Sequence, residues 1–161
     1  MTVVEFNQSV DQFSDRIYRF ILKNLRDNER ARDIVQDCYE KLWRNVENVN
    51  FAKVKSYLFT TAYHTMIDCI RKEKRMNIME DSQLPEEMHW EHYSDVAQIL
   101  DKALAQLPEI QRMVVLLRDY EGYSYDEIAQ IASLTESQVK VYIYRGRVFL
   151  KNMIGKIEVL V

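Results

Sequence analysis

Two helix starts eleven residues apart, at Ser124 and Thr135, constrain this chain more than any other feature of it. Ser124 with Glu127 makes a capping box, in which each side chain accepts from the other residue's backbone N–H. Tyr123 and Ile128 flank it as a hydrophobic staple. Thr135 with Gln138 repeats the box, and Leu134 with Val139 repeats the staple. Two short helices, each fixed at its start and joined by a tight turn around Ser133, spell a helix-turn-helix. Such a unit lays its second helix in the DNA major groove. Any helical hairpin could cap itself twice, so the surface of the second helix has to separate the readings.

In that helix Val139, Ile143, Gly146 and Leu150 fall at offsets 0, 4, 7 and 11, one apolar stripe for a core. Lys140, Tyr144, Arg147 and Lys151 repeat those offsets on another face, with Ser137 and Val141 near its start. From Glu136 to Lys156 there are five Lys or Arg against one Glu, in a chain of net charge −3. A basic, aromatic-bearing stripe suits phosphates and base edges. The expected division runs along the helix. Lys140 and Tyr144 are placed to meet base edges, Lys140 on a guanine, with Ser137 and Val141 beside them on the DNA-binding face. Arg145, Arg147 and Lys151 are placed to meet the backbone.

With 47% hydrophobic residues but only 3 Gly and 2 Pro in 161, the chain reads as all-α. Its apolar runs are too short to span a membrane, and the N-terminus has no basic-then-apolar signal pattern. Cys38 and Cys69 both sit on apolar stripes, which points to free thiols in the cytoplasm. Charge is uneven. Residues 1–75 carry 14 basic and 11 acidic side chains, residues 76–95 none and six, and residues 96–161 eight of each. The expected architecture is therefore two small helical domains, 1–75 and 96–161, joined by an acidic linker, 76–95. The linker's Glu80, Asp81, Glu86 and Glu87 are expected to lie near cationic surface and compete with DNA.

Three amphipathic helices fill the first domain. The first buries Phe6, Val10, Phe13, Ile17, Phe20 and Ile21. The second, opening near Asp27 or Asn28, buries Ala31, Ile34, Val35, Cys38, Leu42 and Val46. A third, after a loop at residues 48–53, turns Leu58, Ala62, Met66 and Cys69 inward and ends in Arg71, Lys72, Lys74 and Arg75. Those cations suit both a helix C-terminus and a phosphate backbone. Opposite the second helix's apolar stripe lie Glu29, Asp33, Gln36, Asp37 and Glu40, a face that is either solvated or held by a protein.

DIVQDCYEKLW (Asp33 to Trp43), YLFTTAYHTMIDCIRKEKR (Tyr57 to Arg75) and LAQLPEIQRMVVLLRDYEGYSYDEIA with the second helix resemble, in order, the extracytoplasmic-function (ECF) sigma factors of bacteria. The resemblance covers nearly the whole chain. It implies that Asp33, Gln36 and Asp37 dock on the beta-prime clamp helices of core RNA polymerase, with the beta flap a further contact. It implies that the third helix and the loop before it melt the promoter −10 element and hold a flipped base. Phe51, Tyr57, Tyr63 and His64 would then be at the base, and Arg71 and Arg75 on phosphates. The helix-turn-helix would read the −35 element, Pro108 would open its supporting helix at the first position, and an anti-sigma factor would be a further partner. Tyr57 stands where such factors commonly have Trp, His64 where Asn is frequent, and Ser133 where the turn usually has Gly. A Cβ at Ser133 in a left-handed turn would cost on the order of 1 kcal/mol.

The second reading is a conventional helix-turn-helix regulator whose N-terminal domain dimerises or senses a ligand. It would bind a palindrome unaided and would have no use for a basic end on the third helix. His89 and His92 have metal-compatible spacing but no nearby third ligand. With no nucleophile–base spacing and no glycine-rich phosphate loop, neither an enzyme nor a cofactor is expected.

Overall fold

The computed structural model describes the backbone of residues 1–77 and 96–160, and the side chains of 1–76 and 97–156. All regular structure among them is helical. α1 (Val3–Leu25) starts on a capping box of Thr2 and Glu5 and ends where Arg26 turns left-handed at φ 57°. α2 (Asn28–Arg44) starts on the Asp27 carboxylate, which accepts the Glu29 and Arg30 N–H groups at 3.0 and 3.2 Å. The loop expected before the third helix contains a 3-10 turn, Phe51–Lys53, capped by Asn50 through the Ala52 N–H at 3.2 Å. α3 (Val54–Asn77) runs past the expected boundary at residue 75. Ile17, Phe20 and Ile21 of α1 join Ala31, Ile34, Cys38 and Leu42 of α2 and Leu58, Ala62 and Met66 of α3 in the core.

α4 (Val96–Gln106) and α5 (Glu109–Val115) follow, and α5 continues into a π-helical segment, Leu116–Tyr120. Pro108 does not open α5 from inside. At ψ 144° it is the N-cap, its carbonyl accepting the Arg112 N–H at 3.0 Å. α6 (Tyr125–Ala132) and α7 (Glu136–Leu160) complete the chain. The expected acidic linker from residue 78 onward, with His89 and His92, lies outside the described residues.

Ser133 does adopt the left-handed conformation, φ 56° and ψ 45°. Exchanging Ser133 for Gly should relieve that strain, partly offset by glycine's greater freedom when unfolded. The expected gain is about 0.5–1 kcal/mol, read as a higher midpoint in urea; an unchanged or lower midpoint would show that the turn carries no strain.

The two halves pack together, α1 against α4 and α5, and α3 against α6. Phe59 meets Tyr123 edge-on at 5.7 Å between centroids. Arg112 of α5, only 6% exposed, donates through Nε to Asn24 Oδ1 of α1 at 2.9 Å and through Nη1 to the Leu107 carbonyl at 3.3 Å. Asn24 is itself buried and donates to the Phe20 carbonyl at 2.7 Å. Around this point lie ion pairs Arg16–Glu121 at 2.7 Å, Lys23–Asp101 at 2.8 Å and Lys74–Glu109 at 3.2 Å. Such partly exposed pairs contribute about 0–1 kcal/mol each. They orient the seam; the buried contacts hold it.

The two thiols differ. Burial pushes the Cys38 thiol up to about 12, whereas Cys69 is half-buried. The thiolate is the nucleophile, so at pH 8 a thiol reagent should titrate one group, Cys69, in the folded protein and both in denaturant. Rapid labelling of Cys38 without denaturant would contradict this packing.

Candidate nucleic-acid interface

Both predicted capping boxes are present. Glu127 N–H donates to Ser124 Oγ at 3.1 Å and Ser124 N–H to Glu127 Oε1 at 3.0 Å. Gln138 N–H donates to Thr135 Oγ1 at 3.1 Å and Thr135 N–H to Gln138 Oε1 at 2.9 Å. The hydrogen bonds from Ser124 hold the Glu127 carboxyl below the usual carboxylate range. The helix-turn-helix is thus fixed at both starts by local bonds. Val139, Ile143 and Leu150 are buried. A Cβ on Gly146 would come within 2.7 Å of Val115 Cγ2, so α7 lies on α5 at a distance only glycine permits.

That packing turns the opposite face of α7 outward. Ser137, Lys140, Val141, Tyr144, Arg145, Arg147 and Lys151 are all exposed. They are not all unengaged. Arg147 grips Asp119 of the π-helical segment with two nitrogens, Nε at 3.1 Å. Lys140 pairs with Glu136 at 3.4 Å, its ammonium 5.7 Å from the centre of the Tyr125 ring. In this geometry both cations lean along the flank of the helix toward protein groups.

On α2, Asp33, Gln36 and Asp37 are exposed while Ile34 and Cys38 are buried. Beside them is an apolar groove that the sequence reading missed, lined by Val3, Phe6, Tyr39 and Trp43, with Gln36 and Glu40 at its rim. Trp43 is 49% exposed, its ring held edge-on by Phe6 at 5.1 Å. A large apolar side chain at a position outside the α2 stripe was the available signal.

On α3 the expected base-binding residues divide. Phe51 and Tyr57 are half-buried near its start, and the Tyr57 hydroxyl accepts from Asn45 Nδ2 at 3.2 Å. His64 is half-buried ten residues into α3, about 15 Å of helix from Val54. That separates it from the loop at 48–53, beside which it was expected. Tyr63 requires correction as a stacking surface: it is 3% exposed, its hydroxyl raised by burial, with Tyr142 of α7 nearby. Tyr63 lies on the same α3 face as Phe59 and Met66, which explains its burial. Arg71 and Arg75 are exposed at the far end of the helix.

The family described as Sigma-70 region 2 matches residues 10–76, and Sigma-70, region 4 matches residues 97–150. The ECF RNA polymerase sigma factor SigM of Bacillus subtilis is 25% identical, over 97% of each chain. The RNA polymerase sigma factor SigV of the same organism is 30% identical, over 86% of this chain and 84% of its own. The chain belongs to the ECF sigma factors. It therefore directs promoter-specific transcription initiation by RNA polymerase, and the dimeric-regulator reading is not favoured. The fold of this sigma factor is also that of the sigma factor RpoE, solved in complex with the anti-sigma factor NepR from Bartonella quintana. That match has a TM-score of 0.79 at 23% identity, covering 95% of this chain and 98% of the other.

For this sigma factor the seam places α3 and the helix-turn-helix side by side. Lys74 at the basic end of α3 is paired with Glu109 of α5 at 3.2 Å, and Lys55 of α3 donates to the Glu121 carbonyl at 3.3 Å. Lys74, one of the cations expected on DNA, is thus engaged with the other half of the factor, as is Lys55. Among the described residues no helix is long and apolar enough to cross a membrane, and no group of three or more His, Cys, Asp or Glu could hold a metal ion.

Proposed function

We propose that the two halves of this sigma factor divide the promoter between them. The first three helices hold core polymerase and the −10 element, and the C-terminal helix-turn-helix holds the −35 element. Asp33, Gln36 and Asp37 meet the beta-prime clamp helices. Phe51 and Tyr57 receive the flipped −10 base near the start of α3, and His64 meets the −10 strand further along the helix, with Arg71 and Arg75 on its backbone and Tyr63 supporting them from within. The C-terminal half meets the beta flap. The observation that carries this reading is the split on α2: a continuous acid-amide face exposed while Ile34 and Cys38 of the same turns are buried. A face so built binds a partner without disturbing the fold beneath it.

The factor carries out no chemistry of its own and works in the cytoplasm beside polymerase. An anti-sigma factor holds it between uses; the likeness to a sigma factor solved with such an inhibitor supports this. The division of labour is tested by run-off transcription with bacterial core polymerase on promoters altered separately at −10 and −35. Defects from α7 variants should be rescued only by −35 changes, and defects from His64 variants only by −10 changes. A −10 change that rescues an α7 variant would overturn the assignment.

A further inference from the structure

On a helical wheel of 100° per residue, Val141 lies opposite the buried stripe of Val139, Ile143 and Leu150, with Val148 about 20° away, Ser137 and Arg145 about 40° to either side, and Tyr144 about 60°. The centre of this ridge enters a groove most deeply, and Val141 and Val148 make it apolar. Val141 is 43% exposed, Tyr144 70% and Val148 41%, all without apolar cover. Lys140, Arg147 and Lys151 line one flank and Arg145 the other, all exposed. Lys140 and Arg147 are drawn toward Glu136 and Asp119. Lys140, Arg147 and Lys151 therefore stand where a phosphate wall would lie, and at the centre of the ridge Val141 and Val148 offer no group that could hydrogen-bond a base.

A base pair offers one apolar feature in the major groove, the thymine C5-methyl. The geometry points to Val141 and Tyr144 as residues that recognise thymine methyl groups in the −35 element, with Val148 closing the ridge. This rests on the reading of α7 as the −35 helix and names how that helix discriminates. The occupant is DNA and not an apolar protein surface, because cations flank the ridge on both sides and complement two phosphate backbones. Lys140 then positions the helix, and the specificity assigned to it passes to the ridge.

The test begins with holoenzyme, core polymerase plus the full chain, selecting −35 duplexes from a pool randomised across that element. Affinities are then measured on the enriched duplex and on copies with deoxyuridine replacing each thymine in turn, which removes only the methyl. One or two positions should lose roughly threefold to fivefold, the ~0.8 kcal/mol of one buried methyl. V141S should abolish the effect at one of them and Y144S at another, with melting curves unchanged because both side chains are exposed. Equal affinity for thymine and deoxyuridine everywhere overturns the proposal. So does an enriched element without A·T pairs, or a deoxyuridine effect that survives in both variants. If α7 variants, K140A among them, still redistribute the enriched sequence, the −35 assignment stands without the methyl readout. If none does, both fall together.

Discussion

Exchanging both Asp33 and Asp37 for Lys is expected to weaken binding of core polymerase by roughly two orders of magnitude. Reversing a charge at an interface replaces an attraction with a like-charge contact, a change of about 2–4 kcal/mol for two such positions. Most of it should appear in the salt-dependent part of association. The fold should not notice. Both side chains are exposed on α2, and the helix is held by the Asp27 cap and by Ile34, Cys38 and Leu42 beneath. Surface changes of this kind stay within about 0.5 kcal/mol, so the melting curve serves as the control. Unchanged polymerase affinity in a normally folded double variant would remove this face from the interface.

The second large effect is a coupling across the seam. Exchanging Asn24 for Ala leaves the buried Arg112 guanidinium without its acceptor at 2.9 Å. Such a loss costs about 1–3 kcal/mol, which lowers the melting midpoint of a chain this size by about 2–4 °C for each kcal/mol. Exchanging Arg112 for Met removes the charge but leaves Asn24 Oδ1 and the Leu107 carbonyl without their donor, so it too should cost about 1–3 kcal/mol. With Met at 112, the further exchange of Asn24 for Ala should cost much less than it does alone. Costs that simply add in the double variant would show that the two side chains are not coupled across the seam.

Local rules account for what could be read from the residues alone. The boxes at Ser124 and Thr135, the strained turn at Ser133 and the buried stripes of α2 and α7 each depend on neighbours within about four positions, so spacing suffices to find them. Thr2 with Glu5 followed the same rule and was missed. Pro108 fell one position away from its expected place because N-cap and first helical positions both accept proline. Other features depend on residues far apart. Arg112 is buried because Asn24, 88 positions earlier, and the carbonyl of Leu107 receive it; read alone, an arginine belongs to the surface. Tyr63 looked available for stacking, but its place beside Phe59 and Met66, with Tyr142 nearby, covers it. Arg147 looked free for phosphate, yet the π-helical segment carries Asp119 to it. A repeat of offsets finds faces, but not which of two outward faces stands proudest; hence Val148 was passed over.

The seam also sets a problem of span. Elements centred at −10 and −35 lie ~25 base pairs apart, about 85 Å of duplex at 3.4 Å per pair. Here Phe59 of α3 and Tyr123, at the threshold of the helix-turn-helix, touch with centroids 5.7 Å apart. On the proposed division of the promoter, one duplex cannot meet both reading surfaces while that contact lasts. The 18 residues from 78 to 95 that connect α3 to α4 could bridge at most ~60 Å fully extended, leaving the helices themselves to cover the rest. Promoter affinity is then diluted by the fraction of molecules that stand open. A polymerase surface that holds the halves apart raises that fraction without touching a base.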